Sequence, residues 1–290
     1  MDRCNWMSGT GCPICGSIFP LSLKREGRPL SESEPLSART HPPRFQTLRQ
    51  IPAGVPHFLA AVDLPDLMAR LETLGLPRDS AVTKVDAHTR SRAAWVKTAK
   101  GAHILDGKAA ASLVVRKDGR WVSLGLLAAG EGGVVAGILA GREERSLLHQ
   151  GEDVLPPGMR MEMVRGLPLV RFTFQFQNGR LKHVPLCAAT RVWGLSGGRR
   201  VQLAAVLVGE IFTVESFSSS RVNDRFLACG MGKGMKLRLK GIHPVDAETS
   251  HMIIEGPAHR FLISYADAGH IYVRACNICW SCGACMTAGG

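Results

Sequence analysis

Two segments built around tight-turn dipeptides constrain the fold of this chain more than any other feature of its sequence. Every second residue from Val170 to Phe176 is apolar, the residues between are polar, and Asn178-Gly179 follows. Residues 112–124 have a similar form around Asp118-Gly119. Asn-Gly and Asp-Gly favour two-residue hairpin turns, because both turn positions need a positive φ. Both segments therefore predict β-hairpins, and the first predicts a sheet with one polar face.

Apolar patterning elsewhere predicts more strands than helices. Further strands are predicted at 201–208, 211–215, 236–239, 251–254 and 261–273. A helix is predicted to begin near Leu64 and end at Gly75, because leucines recur at helical spacing after Pro65. A second short helix is predicted from Thr89 to Ala99. The apolar stretch 122–141 contains Glu131 and several glycines, which favours two buried strands over a membrane span.

The predicted fold class is α+β, with a short helical segment followed by a largely antiparallel β region. A ferredoxin-like scaffold is one form that this β region could take. Residues 1–55 are predicted to be an N-terminal zinc-knuckle-like module and linker, because 24–43 is rich in Ser, Pro, Arg and Glu. Residues 56–290 are predicted to be one nucleic-acid-binding domain with a cysteine-rich C-terminal tail. No internal repeat is evident in the sequence.

Cysteines are concentrated at the two ends of the chain. Seven of the nine lie there, namely Cys4, Cys12, Cys15, Cys276, Cys279, Cys282 and Cys285. No secretory signal is apparent, so thiols in a reducing, cytoplasmic setting are expected rather than disulfides. Thiolates at Cys-x-x-Cys spacing bind zinc or iron–sulfur clusters, and an all-cysteine ligand set is typical of structural zinc. The sequence therefore predicts a structural metal site built from these seven residues.

Three interpretations of the cysteines stay open. Structural zinc is favoured, either within the C-terminal run or between Cys12-Pro-Ile-Cys15 and two of the terminal cysteines. An iron–sulfur cluster is the runner-up, although the last spacing is one residue shorter than in the bacterial ferredoxin run and the proline is absent. Thiols without metal on the tail are the third.

The formal net charge of +12 predicts a polyanionic partner, most often nucleic acid. Residues 158–240 hold 14 Lys and Arg against 4 Asp and Glu. The alternative is a generally basic protein with no such partner.

The predicted contacts are basic residues in glycine- or serine-rich segments, where the backbone can approach phosphates. They are Arg191, Arg199, Arg200, Arg221, Arg225, Lys233, Lys236, Arg238 and Lys240. Lys236, Arg238 and Lys240 alternate along one predicted strand, so they point the same way. Arg191, near Trp193, is expected to add base stacking. The alternative for the strand is a solvated sheet edge whose lysines prevent aggregation.

The segment Gly230-Met-Gly-Lys-Gly-Met-Lys-Leu-Arg-Leu-Lys240 resembles the glycine-rich loops of the CRISPR repeat-associated proteins. Those proteins use ferredoxin-like folds to hold guide RNA. The resemblance covers only these residues, and it implies RNA as the ligand and a ribonucleoprotein complex with other protein subunits as the setting.

The sequence thus predicts a zinc-stabilised RNA-binding protein with no membrane partner. The alternative from the enzyme class is a metal-independent endoribonuclease, with His259 or His270 as general base. Asp267 lies three residues before His270, a spacing that could orient the imidazole.

Overall fold

The computed structural model describes residues 45–90, 92–139, 155–245 and 250–275. This part of the chain has a mixed α+β fold, dominated by antiparallel strands with a few short helices. The helices are α1 (Pro65–Thr73), α2 (Gly107–Ser112), α3 (Leu186–Ala189), α4 (Ser220–Ala228) and α5 (Tyr265–Ala268). None of these described helices is long and apolar enough to cross a membrane.

The strands fall into two sheets. The first nine are β1 (Gln46–Thr47), β2 (Pro56–Val62), β3 (Ala81–Arg90), β4 (Ala93–Thr98), β5 (Gly101–Leu105), β6 (Leu113–Lys117), β7 (Arg120–Ser123), β8 (Gly132–Ile138) and β9 (Arg160–Leu167). The others are β10 (Val170–Phe176), β11 (Leu181–Pro185), β12 (Val192–Ser196), β13 (Arg199–Gln202), β14 (Ile211–Phe217), β15 (Lys236–Pro244), β16 (Ser250–Gly256), β17 (His259–Ser264) and β18 (Ile271–Ala275).

The strand order reveals three copies of one six-stranded unit. The smaller sheet runs β11-β10-β15-β14-β12-β13. Half of the larger sheet runs β5-β4-β9-β8-β6-β7, and the other half runs β17-β16-β3-β2-β18-β1. In two copies the chain runs through a hairpin, a short helix and then four further strands. The copy that contains β1 has the same spatial order, but its last three strands come from an earlier part of the chain. The chain is therefore built from a repeated unit, although no repeat is evident in its sequence.

The first unit is assembled from both ends of the described chain. Unit 1 comprises residues 45–90 and 250–275, unit 2 the described residues between 92 and 167, and unit 3 residues 170–245. In unit 1 the early strands β1 and β2 pair with the late strand β18, and β3 pairs with β16. These pairs complete unit 1 by joining segments that are distant in sequence. Residues 45–55, expected from the sequence to belong to the N-terminal module, contribute β1 and a turn with buried Leu48 and Ile51 to unit 1.

Equivalent backbone hydrogen bonds recur in all three units. A glycine with positive φ donates its amide to the fourth residue of the strand that corresponds to β3, β9 or β15. The three bonds are Gly54 N to Lys84 O at 2.7 Å, Gly130 N to Met163 O at 2.7 Å, and Gly209 N to Leu239 O at 2.8 Å. A non-glycine residue at such a φ is strained, so glycine is required at the same place each time.

A fixed pattern of burial and irregularity accompanies these bonds. Six residues before each glycine is a fully buried leucine, Leu48, Leu124 or Leu203. The register of β6, β12 and β18 shifts after Val114, Trp193 and Tyr272, which are spaced 79 residues apart (193 − 114 and 272 − 193). Such bulges bend a strand at a defined point. The units therefore share local geometry as well as topology.

Several predictions of individual elements are confirmed and others are wrong. The helix α1 and the hairpins at Asp118-Gly119 and Asn178-Gly179 form as predicted. The predicted helix from Thr89 to Ala99 is wrong, because this region contributes the end of β3 and the whole of β4. The predicted strand 261–273 is divided by α5, which Ser264 caps by accepting a hydrogen bond from the Asp267 amide at 3.0 Å. A ferredoxin-like scaffold, with helices crossing a four-stranded sheet, is not what the described strands form.

Candidate nucleic-acid interface

The positive charge is concentrated in one of the three units. Unit 1 has 7 Lys and Arg and 7 Asp and Glu, whereas unit 3 has 12 against 3. The sequence of unit 2 has 11 against 8. Because the units share a fold, the fold itself does not require the excess of 9 positive charges in unit 3. An excess of one sign of charge favours association with a partner of the opposite sign.

The stripe Lys236, Arg238 and Lys240 forms on β15 as its alternation predicts. All three side chains are exposed, while Leu237 and Leu239 between them are fully buried. The strand is third in the six-stranded order, between β10 and β14. The interpretation of these lysines as guards of an open sheet edge is therefore wrong, because β15 is a central strand.

The matching strands of the other units lack this stripe. Positions equivalent to Lys236, Arg238 and Lys240 are Arg160, Glu162 and Val164 in unit 2, and Ala81, Thr83 and Val85 in unit 1. The Val85 side chain is 41% exposed, so solvent contact at this place does not demand a charge. The complete triplet is thus a property of unit 3 alone, and Arg160 of unit 2 is the one cation at an equivalent position.

Cross-strand register extends the stripe over the outer face of unit 3. Lys236 pairs with Thr213, Thr213 with Leu195, and Leu195 with Arg200. Directly paired residues share a face of a sheet, so Lys236 and Arg200 lie on one face about 14 Å apart, at about 4.8 Å per strand. Arg200 lies over the Trp193 ring at 5.3 Å and 3.7 Å from Glu215, which holds its guanidinium at this face.

The other predicted contacts lie elsewhere in unit 3, and all but one are exposed or half-buried. The helix α4 packs on the core side of the sheet, opposite the stripe, because its Val222 and Phe226 belong to the same buried cluster as Leu237 and Leu239. Arg199 begins β13 and is exposed, Lys233 lies in the exposed turn before β15, and Arg221 and Arg225 lie on α4, exposed and half-buried respectively. Ser219 caps that helix by accepting a hydrogen bond from the Val222 amide at 3.3 Å.

The exception is Arg191, which is only 7% exposed. Its guanidinium lies 3.7 Å from the carboxylate of Asp106, which is also buried and belongs to unit 2. The expected base-stacking role for Arg191 is therefore replaced by an ion pair between units, and Arg200 is the arginine that stacks on Trp193.

The two candidate general bases have different surroundings. His259 is 7% exposed, and its ring stacks on Trp121 at 5.2 Å, where units 1 and 2 meet. Burial is the main cause that lowers the pKa of His259, so the ring is neutral near pH 7. His270 is 46% exposed and its Nδ1 lies 2.8 Å from Asp63 Oδ1. Asp267, the predicted partner of His270, instead accepts a hydrogen bond from the Ser264 hydroxyl at 2.7 Å.

The seven candidate metal ligands lie outside the described residues. Within the described ranges no cluster of three or more His, Cys, Asp or Glu could hold a metal ion. The two cysteine-bearing segments are nevertheless joined to neighbouring strands, since Gln46 pairs with Val273 in the antiparallel β1–β18 pair. Phe45 and Ala275, the described residues that border these segments, therefore lie toward the same end of this strand pair.

Two basic residues of this face were absent from the predicted site. Arg171 on β10 pairs directly with His243 on β15, which extends the line of the stripe. The alternation from Val170 to Phe176 placed Arg171 on the polar face, but only the strand register brings it beside His243.

Comparison of the chain with protein-family models, with curated proteins and with solved structures finds no match in any of the three.

Proposed function

We propose that this protein binds the sugar–phosphate backbone of a nucleic acid, with RNA favoured, through the outer face of unit 3. The observation that carries the proposal is the stripe Lys236, Arg238 and Lys240 on a central strand. The other two units do not have three basic residues at the equivalent positions. Backbone binding needs cations spaced along a surface, and it gains affinity from the release of condensed counterions.

Side chains between the cations support an unpaired strand as the ligand. Ile211 pairs with Arg238 and is 47% exposed, and Leu195 lies between Lys236 and Arg200 in register and is 39% exposed. Unpaired bases present apolar faces that such side chains can contact, whereas a duplex buries its bases. The glycine-rich turn before β15 adds backbone that can approach a phosphate closely. We further propose that the protein acts with other subunits in a cytoplasmic ribonucleoprotein complex of CRISPR-effector type.

The terminal cysteines are proposed to bind structural zinc. Antiparallel pairing of β1 with β18 supports an end-to-end site, because Phe45 and Ala275, which border the cysteine-bearing segments, lie toward the same end of one strand pair. The zinc would hold the two chain ends together beside unit 1, which is itself built from both ends. An iron–sulfur cluster is the alternative, and it would make the purified protein coloured.

Cleavage of RNA remains the alternative function. The His270–Asp63 pair supports it, because a carboxylate at 2.8 Å orients an exposed imidazole as a general base requires. This pair lies in unit 1, whose net charge is zero, whereas the excess of positive charge that would attract a polyanion lies in unit 3. Binding without cleavage is therefore the better-supported function.

One experiment tests binding and cleavage together. A 5′-labelled single-stranded RNA is titrated with the purified protein by fluorescence anisotropy at about 50 to 300 mM salt, and the RNA is then recovered on a denaturing gel. The proposal expects an affinity that falls steeply with salt, and intact RNA. Absent or salt-independent binding would overturn it, and RNA cleavage that His270→Ala abolishes would favour the enzyme instead.

A further inference from the structure

The outward face of unit 2 shows what this fold places against a neighbouring unit. The side chains of Ala93 and Ile104, with Trp95 and Leu167 beside them, pack into the hydrophobic core of unit 3. The Ile104 main chain is also bridged to unit 3, because the Gln202 side-chain amide accepts from its N–H at 2.5 Å and donates to its carbonyl at 3.2 Å. This face is therefore an apolar docking surface for the next unit.

Unit 3 is the last unit of the described array, and it carries different chemistry at the same four positions. Strand register aligns Ala93, Trp95, Ile104 and Leu167 with Arg171, Thr173, His183 and His243. Arg171 and Thr173 lie on β10 and His183 on β11, which is the outermost strand of its sheet. Repeat arrays need a polar face where they end. A cap needs only polarity, however, and here three of the four replacements are cations or can become cations.

The four residues lie close together on this face. Thr173 Oγ1 lies 2.9 Å from His183 Nδ1, and Thr173 pairs with Gly241 on β15. The His243 ring lies over Gly241, since a Cβ built there would come within 3.1 Å of His243 Nε2. Arg171 pairs directly with His243. The neighbouring Lys182 is directed elsewhere, with its Nζ 2.9 Å from the Cys229 carbonyl.

Electrostatic repulsion within the group disfavours protonation of His183 as long as no anion is bound. Burial is the main cause that lowers the pKa of His183, and the nearby Arg171 and His243 lower it further. A bound phosphate would offset this repulsion and favour the protonated imidazole. Binding of the phosphate would then take up protons, so its affinity would rise as the pH falls.

We infer that Arg171, Thr173, His183 and His243 form a phosphodiester-binding site at the open end of unit 3, and that this site strengthens nucleic-acid binding at mildly acidic pH. The inference rests on the proposed function and deepens it. The site continues the stripe, because His243 lies on β15 three residues beyond Lys240. A nucleic-acid strand that follows β15 from Lys236 would therefore reach the end face.

The test measures the affinity for a labelled oligouridylate at fixed salt between about pH 8.0 and pH 5.5. The wild-type protein is expected to bind about tenfold more tightly at pH 5.5, and its salt slope is expected to steepen by about 0.7, which corresponds to about one added phosphate contact. The double variant His183→Gln and His243→Gln is expected to lose the gain, so that its affinity differs little between about pH 8.0 and pH 5.5. The single variant His243→Gln, at an exposed position, is expected to lose part of the gain.

His270→Gln is the matched control, since His270 is exposed in unit 1, and it should retain the full pH dependence. Binding that is strong at pH 8.0 but unchanged at pH 5.5 would overturn the inference and leave the proposed function standing. A double variant that keeps the wild-type pH dependence would also overturn the inference alone. Absence of binding at every pH would overturn both.

Discussion

Leu124 and Leu203 occupy the same position in two copies of one fold, 79 residues apart in the chain, and both side chains are fully buried. Each is followed six residues later by a glycine with positive φ, Gly130 or Gly209. The amide of that glycine donates a hydrogen bond to the last strand of its unit, β9 or β15. The pair defines the repeat more sharply than any longer stretch of sequence does. Because the units share a fold, one unit can serve as the control for another.

Substitution of Gly209 by alanine should destabilise the protein by about 1–2 kcal/mol, because φ is +92° there and an L-residue is strained in that region. An added Cβ would meet nothing within 4 Å, so strain rather than a clash is tested. Urea unfolding measures the change. Gly166→Ala is the control, since that φ is not positive and the new Cβ makes an ordinary 3.5 Å contact with Arg92. Equal losses in both variants would contradict the assignment.

Replacement of Gln202 by alanine should weaken the junction between units 2 and 3. The Gln202 amide binds the N–H and C=O of Ile104 and the carbonyl of Thr190, all in buried surroundings. Leaving these groups without partners should cost about 2–4 kcal/mol, at about 1–3 kcal/mol for each buried group. Gln175→Ala, on the half-buried outer face of the same unit, should change the unfolding free energy much less. A small effect of Gln202→Ala would mean that water readily replaces the amide.

The unfolding free energy should fall as the pH drops below the ordinary histidine pKa of about 6.5. His259 has a lowered pKa in the folded state, so on acidification the unfolded chain takes up a proton before the folded protein does. Proton binding then stabilises the unfolded state relative to the folded state. His259→Phe keeps an aromatic ring against Trp121 but cannot titrate, and its unfolding free energy should depend less on pH. The comparison is made by urea unfolding at about pH 7.5, 6.0 and 5.0. An unchanged slope in His259→Phe would show that other groups carry the dependence.

Elemental analysis of the purified chain should find zinc rather than iron. One zinc per chain is expected if Cys12 and Cys15 share a site with two terminal cysteines, and two zinc ions would indicate separate sites. Chelation should then lower the melting temperature, since metal binding to a site absent from the unfolded chain adds to folding free energy. A protein without metal, or a coloured protein with iron, would contradict the zinc assignment.

The sequence predicted the elements whose information is local. Turn dipeptides at Asp118-Gly119 and Asn178-Gly179 and the leucine spacing of α1 were sufficient, because each depends on neighbouring residues. The predicted helix at Thr89 to Ala99 failed because strand pairing with β16 and β9 decides that region. Such pairing joins distant parts of the chain and leaves no local pattern.

The repeat was missed for a related reason. Few residues are held constant between units, chiefly a buried leucine and a glycine with positive φ, and unit 1 begins at residue 250 and finishes at residue 90. Its pattern is therefore never contiguous in the sequence. The basic stripe was predictable from the alternation of Lys236, Arg238 and Lys240. Its central position in the sheet, and the removal of Arg191 into an ion pair, depend on the tertiary structure.

The central claim is that unit 3 binds a nucleic-acid backbone through β15. Its most direct test is the salt dependence of RNA affinity for the triple variant Lys236→Ala, Arg238→Ala and Lys240→Ala, beside Arg260→Ala, an exposed arginine of unit 1. The slope of log affinity against log salt should fall by about two for the triple variant, at about 0.7 for each lost phosphate contact, and should not change for Arg260→Ala. A triple variant that binds RNA with the wild-type affinity and slope would contradict the account.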